Sequence, residues 1–95
     1  MNGYVIANIE IRDPDGYEAY RSRTAEVIAR YGGRFLVRGG KVEVREGDPG
    51  ISRFVVIEFS DMDAARAFYD SPDYQAILPH RTANSRGSLF LVEGV

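Results

Sequence analysis

The chain has 95 residues, 44% of them hydrophobic, and no cysteine, which predicts a single domain over residues 1–95 and excludes disulfides, thiolate zinc sites and cysteine nucleophiles. Its 12 basic and 14 acidic residues are interspersed and give a net charge of -2, which disfavours nucleic acid as a partner. No stretch approaches the ~20 apolar residues of a membrane span, and the first residues lack the pattern of a signal peptide, so we expect a cytoplasmic protein with no membrane partner.

The first predicted elements are a strand and a long helix. In residues 4–11 every odd position is apolar while the even positions are mixed, which predicts a strand with one face in the core. Asp13 followed by Pro14 is a typical helix start, because the carboxylate accepts from free N–H groups and proline needs no donor at the first helical position. A stripe of tyrosine and aliphatic residues at steps of three and four then predicts a helix over residues 14–31.

Residues 31–40, YGGRFLVRGG, combine a helix end, a strand and a bend. Gly32 suits the left-handed conformation that ends many helices, since a side chain there would clash with the backbone. For the strand over residues 34–38, the period of two predicts one face with Phe35 and Val37 and the other with Arg34, Leu36 and Arg38. The glycine pair at residues 39–40 is interpreted as a bulge, with a hairpin turn as the alternative, before a further strand over residues 41–46.

The next predicted elements are a turn, a strand and a second helix. Residues 47–50 are typical of a turn, because proline fixes one dihedral angle and glycine permits positive φ. The strand over residues 53–59 has few polar residues, which predicts a central position in a sheet. Ser60 or Asp61 is expected to cap the second helix.

The end of the chain predicts a short helix, a loop and a strand. The pair at residues 71–72, serine and proline, interrupts the second helix and can start a third one over residues 73–78, which Pro79 ends. Residues 80–86 have no periodicity and are predicted to form a loop. Residues 88–93 are predicted to form the last strand.

This order of elements is the βαββαβ plan of the α+β ferredoxin-like fold, an antiparallel sheet with the helices on one face. The opposite face has no cover within the chain, yet the predicted strands place apolar side chains on it. These are Tyr4, Ile6, Leu36, Phe54 and Val56. Because such a patch rarely stays exposed in a stable monomer, we expect a homodimer formed through this face.

Four segments together resemble a known family. They are residues 31–40, YGGRFLVRGG, residues 56–59, VIEF, residues 71–75, SPDYQ, and residues 93–94, EG. Over essentially its whole length, the chain resembles the domain-of-unknown-function 1330 family (DUF1330) of the dimeric α/β-barrel superfamily. The resemblance implies a homodimer in which two ferredoxin-like sheets face each other as a barrel. It implies no reaction, because the family has no assigned chemistry, and relatives such as cofactor-free monooxygenases, muconolactone-type isomerases and haem-degrading enzymes are analogies of fold.

Candidate ligand-binding residues come from the sheet face expected to meet the partner and from the break near residues 71–72. They are Asn8, Arg34, Arg38, Phe54, Glu58, Tyr69 and Tyr74. The arginines offer fixed positive charge and Phe54 an apolar wall, which together suit a small anionic or aromatic molecule in the barrel cavity. Two interpretations stay open for these arginines and for Arg53: they bind a ligand carboxylate or phenolate, or they form ion pairs with Glu10 and Glu58.

The candidate for a catalytic acid or base is His80, because histidine is the residue type that changes charge near neutral pH and the chain has only this one. A single histidine in a predicted loop also fits an ordinary surface residue. The acidic pair Asp61 and Asp63 has no second pair at a recognisable spacing, and cysteine is absent, so we predict no metal site and no cofactor.

Three functions remain open from the sequence. The first is a dimer that binds a small anionic or aromatic molecule, and the second is a cofactor-free monooxygenase or isomerase of the dimeric α/β-barrel type. The third is a purely structural dimer with no ligand. RNA-recognition domains share this order of elements, but residues 53–59 lack the Lys/Arg-Gly-aromatic core of their central strand, which disfavours RNA binding.

Overall fold

The computed structural model describes residues 1–95 and contains four strands and three helices. In chain order these are β1 (Gly3–Ile11), α1 (Pro14–Arg30), β2 (Arg34–Arg38), β3 (Arg53–Phe59), α2 (Met62–Asp70), α3 (Pro72–Thr82) and β4 (Ser85–Glu93). The strands form one antiparallel sheet in the order β2-β3-β1-β4, with β3 in the predicted central position. This confirms the ferredoxin-like prediction, with α2 and α3 together taking the place of the second helix.

The core lies between the helices and one face of the sheet. In β1, Val5 and Ile9 are buried as their alternation predicts, because successive strand side chains point to opposite faces. The ring of Phe68 lies 5.2 Å from that of Phe59 and 4.6 Å from that of Tyr74, measured between centroids. Fully burying such a side chain stabilises the fold by roughly 1.5–3 kcal/mol, so this cluster holds the helices on the sheet.

No helix combines the length and the apolar character needed to cross a membrane.

All three helices begin at residues that the sequence predicted as caps. Asp13 Oδ1 accepts from two backbone N–H groups in the first turn of α1, at 3.2 and 3.3 Å. Asp61 Oδ1 accepts from the backbone N–H of Ala64 at 2.7 Å, and Ser71 Oγ accepts from that of Tyr74 at 3.0 Å. Each cap satisfies donors that have no partner within the helix.

The prediction of uninterrupted alternation in the second strand is wrong. β2 pairs with β3 at Phe35 and again at Val37, but Leu36 between them has no partner in β3. Leu36 is therefore an extra, bulged residue, and each position after it lies on the opposite face from that predicted. Arg38 consequently lies opposite Val55 and faces the helices, while Val37 lies on the open face.

Residues 39–52 form an exposed arm with no regular structure. The prediction of a strand over residues 41–46 is therefore wrong. The two interpretations of residues 39–40, a bulge and a hairpin turn, are wrong as well, because no strand follows them. The alternating pattern is present in this arm, but a strand also needs a hydrogen-bonding neighbour. Because β3 begins only at Arg53, the chain offers no such neighbour beside residues 41–46.

The third helix is longer than the predicted residues 73–78. It continues through Pro79, which lacks a backbone donor, and ends at Thr82. A side chain beyond the helix caps its C-terminal end. Asn84 Nδ2 donates to the carbonyl oxygen of His80 at 2.8 Å, which stabilises the helical conformation there.

The last strand also begins earlier than predicted. Residues 80–86 are not a loop, because α3 occupies their first part and β4 pairs with β1 from Ser85 onwards. Ser85 lies opposite Ile11, and the pairing continues to the other end of β1. β4 therefore pairs along the full length of β1.

Candidate functional site

A cavity lies between the helices and the helix-facing side of the sheet. Its volume of about 40 Å³ is space for roughly three water molecules. The strands supply apolar walls, among them Val5, Ile57 and Leu89. The polar lining consists of Arg21, Arg38, Arg53, Arg81, Tyr17, Tyr20, Tyr74 and Thr24. No aspartate or glutamate lines the cavity, so its charged lining is entirely cationic.

Four elements supply the polar side chains, namely α1, β2, α3 and β3, which contributes Arg53. The stripe of α1 that predicts the helix contributes Tyr20 and Thr24, which are four residues apart on one face. α3 contributes Tyr74 and Arg81, which are seven residues apart and therefore also share a face. The bulge in β2 turns Arg38 towards the same space.

The hydroxyl groups of Tyr20 and Tyr74 form a buried hydrogen bond between α1 and α3, with 2.7 Å between their oxygens. Burial raises the pKa of both phenols, because the core does not solvate a phenolate. The tyrosine partner adds to the rise in the pKa of Tyr20. Both side chains are thus neutral at physiological pH and can donate a hydrogen bond.

Arg81 is buried in the cavity wall, with only 7% of the residue exposed. It forms no salt bridge, and its Nε has no hydrogen-bond acceptor. Its guanidinium carbon lies 5.8 Å from the centroid of the Tyr20 ring. A buried cation that lacks an anionic partner is energetically unfavourable, so this residue needs a functional explanation.

Two further arginines in the lining have no carboxylate partner. The guanidinium carbon of Arg38 lies 4.4 Å from the centroid of the Phe35 ring, a cation–π contact. Arg53 packs against Gly39 so closely that a Cβ added there would lie 2.6 Å from the arginine Nη1. Arg21 differs from both, since its Nε lies 3.7 Å from the carboxylate of Glu18 on the same helix. Three of the four lining arginines are therefore available to an anion.

Two predicted ligand residues on the open sheet face pair with each other. Arg34 Nε donates to Glu58 Oε1 at 2.9 Å, and the two residues lie directly opposite in β2 and β3. Glu58 Oε2 also accepts from Asn2 Nδ2 at 3.1 Å and from the hydroxyl of Tyr4 at 3.4 Å. For Arg34 the structure therefore shows the ion pair that was one of the two interpretations.

Asn8 and Phe54, which are also predicted ligand residues, lie on the open face as well. The Asn8 side chain donates to the carbonyl oxygen of Gly50 at 3.1 Å and accepts from the N–H of Ser52 at 2.9 Å. It therefore holds the end of the arm against the sheet. Phe54 lies opposite Asn8 and is half-buried, and neither side chain lines the cavity.

Tyr69 and His80 lie outside the cavity. The ring of Tyr69 packs 5.3 Å from that of Tyr74, measured between centroids, but it does not reach the lining. His80 is exposed on α3, one residue before Arg81 and hence on another side of the helix. No group of three or more histidine, aspartate and glutamate residues is placed to hold a metal ion.

Of the predicted ligand residues, only Arg38 and Tyr74 line the cavity. The hydroxyl of Tyr20 and the buried Arg81 are lining groups that sequence reasoning missed. A signal for Arg81 is present, because a helix continued past residue 79 places it on the face of Tyr74 and Ile77, at steps of three and four. Predicting a helix end at the proline hid that signal.

The fold and the cavity define a ferredoxin-like α+β protein with a cationic space beneath its helices. The chain belongs to the family described as domain of unknown function (DUF1330), whose sequence model matches residues 2–95. This confirms the resemblance carried by the four segments. No curated protein matches the chain.

Several solved structures have a similar fold. The RPA0582 protein of unknown function from Rhodopseudomonas palustris aligns with a TM-score of 0.74 and 19% identity, covering 99% of this chain and 82% of that one. A dimeric ferredoxin-like protein of unknown function from Thermobifida fusca aligns with a TM-score of 0.65 and 19% identity, covering 99% of this chain and 92% of that one. SnoaB, a cofactor-independent oxygenase from Streptomyces nogalater, aligns with a TM-score of 0.63 and 22% identity, covering 99% of this chain and 93% of that one. At these identities the likeness shows the fold alone.

Proposed function

We propose that this protein binds a small anionic molecule with an aromatic body in the cavity between α1, α3 and the sheet. The observation that carries the proposal is that Arg38, Arg53 and Arg81 line one cavity without a carboxylate partner. The sequence suggested the same class of ligand on the opposite, open face of the sheet. The helix side is the better location, because its arginines are not already paired.

The lining accounts for both parts of the ligand. Cations in a partly desolvated space repel each other and lose hydration, and an entering anion relieves both effects. Arginine also matches a carboxylate geometrically, through two parallel N–H···O bonds. The walls around Val5, Ile57 and Leu89 are apolar and can remove an aromatic ring from water.

The cavity limits the ligand to a small molecule. A volume of about 40 Å³ holds roughly three water molecules, which is comparable with the ring of a small aromatic acid. Arg21 and Arg38 are exposed, so the cavity reaches the surface beside them and a substituent can extend there into solvent.

The lining favours binding over acid–base catalysis. A catalytic base works best when its pKa lies near the working pH. Burial raises the pKa values of Tyr17, Tyr20 and Tyr74 above the ordinary range of a phenol, and His80 lies outside the cavity. The oxygenase and isomerase alternatives therefore have no candidate base in this lining.

We further propose that the protein is a homodimer formed through the open face of the sheet. On this face Ile6 and Val56 are flanked by Val37, Phe90 and Val92, which are 36%, 49% and 43% exposed. A second copy offers the same apolar surface and can cover it. The similar protein from Thermobifida fusca is described as dimeric, which supports this choice of partner.

The arm formed by residues 39–52 belongs to the same proposed interface. Asn8 holds its end against the open face, and the exposed Val42 and Val44 alternate with charged residues. Such alternation is typical of a strand, but this strand has no neighbour in its own chain. We therefore expect the arm to pack against the second copy.

Thermal unfolding with benzoate tests the ligand proposal, and benzamide, a neutral molecule of similar shape, is the control. We expect benzoate to raise Tm and benzamide not to, because only benzoate carries a negative charge and two acceptor oxygens for a guanidinium. A ligand at 100 times its Kd stabilises the folded state by about 2.7 kcal/mol, which is a measurable shift. Arg38→Ala should weaken benzoate binding and leave the protein folded. If a panel of aromatic carboxylates and phenols leaves the Tm of the wild type unchanged, the proposal is wrong.

A further inference from the structure

The buried part of the cavity has more hydrogen-bond donors than acceptors. The hydroxyls of Tyr20 and Tyr74 share one hydrogen bond, in which either oxygen can be the donor. Whichever donates, the other hydroxyl keeps a proton that has no acceptor in the chain. Buried polar groups in folded proteins are normally paired, so this proton points to a missing acceptor.

Arg81 adds further donors at the same place. It shares a helix face with Tyr74, it lies over the Tyr20 ring, and its charge opposes the rise that burial causes in the pKa values of both tyrosines. The guanidinium therefore lines the same part of the cavity as the two tyrosines. Its Nε has no acceptor, although only 7% of the residue is exposed.

We propose that Arg81 and the Tyr20–Tyr74 hydroxyl pair form an anion-binding end of the cavity, which holds the carboxylate of a small aromatic monocarboxylate whose ring points towards Arg38. The inference rests on the proposed function and deepens it, because it assigns the anionic group to one arginine and orients the ligand.

Burial decides between Arg81 and the other arginines. Arg38 is exposed and stacks on Phe35, so water and the ring already stabilise its charge. Arg81 is largely buried, and an ion pair strengthens as the local dielectric falls. An anion therefore gains most at the Arg81 end, and Arg38 is left to contact the outer part of the ligand.

The donor set favours a carboxylate over a phosphate. Arg81 and one free hydroxyl proton match the two oxygens of a carboxylate. A phosphate brings more charged oxygens, and the neighbouring Val5, Ala7 and Ile9 offer them no donors from their side chains. A neutral amide would place its NH₂ group against a guanidinium, which also only donates.

Isothermal titration with benzoate tests the assignment through four variants. Arg81→Gln should weaken binding at least about tenfold, and Tyr20→Phe together with Tyr74→Phe should also weaken it, because each change removes donors to the carboxylate. Arg38→Gln should weaken it less. Arg23→Gln, which removes an exposed charge of α1 outside the cavity lining, is the matched control and should bind like the wild type.

A stability measurement guards against a purely structural effect. Arg81→Met removes a buried charge that has no carboxylate partner, so the ligand-free variant should unfold at the same urea concentration as the wild type or a higher one. It should nevertheless fail to bind benzoate. Unfolding of Arg81→Met at a clearly lower urea concentration would instead mark Arg81 as a structural residue and overturn the assignment.

A crystal of the wild type with 4-bromobenzoate tests the orientation without any substitution. Anomalous scattering should place the bromine near Arg38 and the carboxylate at Arg81, and the reverse orientation would refute the inference. The two proposals fail separately. Absence of any carboxylate binding by the wild type overturns the proposed function, whereas binding that survives Arg81→Gln but not Arg38→Gln overturns only this inference.

Discussion

The phenol oxygens of Tyr20 and Tyr74 lie 2.7 Å apart and join α1 to α3 inside the core. Tyr74→Phe leaves the hydroxyl of Tyr20 buried without a partner, which should lower the free energy of unfolding by about 1–3 kcal/mol. Tyr20→Phe should do the same, while the double variant should cost less than the sum, since no hydroxyl remains unpaired. Urea unfolding of the three variants measures this coupling. Strictly additive losses would show that the two hydroxyls do not stabilise each other.

The raised pKa values of Tyr17, Tyr20 and Tyr74 predict a loss of stability at high pH. Above the ordinary tyrosine pKa of 10.0, the unfolded chain loses phenolic protons that the folded chain keeps, because burial disfavours the phenolate. The free energy of unfolding should therefore fall as the pH rises above about 10, and these three groups contribute no slope well below that pH. Urea midpoints on both sides of this pH measure the effect. Tyr20→Phe should show a smaller fall, and an equal fall in both proteins would contradict the assignment.

The proposed dimer predicts that one charge on the open face changes the molecular mass. Val56 lies opposite Ile6 and Val37, in the middle of the apolar surface. Val56→Glu should give a monomer, because the interface would otherwise bury a carboxylate without a partner. Light scattering at micromolar concentration compares it with Ala25→Glu, a control on the exposed side of α1, which should remain dimeric. A wild type with the mass of a monomer would rule out the dimer.

Gly32 has the left-handed conformation predicted for the end of the first helix, with φ of 76°. A Cβ added there would meet no atom within 4 Å, so a larger residue costs stability through its own backbone and not through a clash with neighbours. Gly32→Val should therefore lower the free energy of unfolding by at least ~1 kcal/mol. Gly32→Asn should lower it less, because asparagine tolerates this conformation better. Equal melting temperatures for the valine variant and the wild type would show that the backbone can relax.

The family and most elements could be predicted because their signals are local. Asp13 caps α1 through N–H groups two and three residues away, and Ser71 caps α3 in the same way. The alternation in β1 indicates which of its faces is buried, and the small number of polar residues in β3 indicates its central position in the sheet. Each of these features depends on neighbours in the sequence or on a simple period.

The candidate site could be predicted only in part, because its members depend on contacts between distant elements. The bulge at Leu36 arises from the pairing of β2 with β3, and it moves Arg38 from one side of the sheet to the other. The continuation of α3 past Pro79 places Arg81 on the buried face of the helix, with Tyr74 and Ile77.

The sequence by itself determined the order of the elements and membership of the family. It also determined the helix starts and the glycine at the end of α1, since short-range sterics and hydrogen bonding control these features. Only the tertiary structure decided which arginines are paired. Glu58 lies opposite Arg34 on the neighbouring strand and forms an ion pair with it, whereas Arg81 is buried in a cavity wall that contains no carboxylate. Charge pairing depends on distances in space. Whether an arginine has a carboxylate partner is therefore decided by which distant parts of the chain the fold brings beside it.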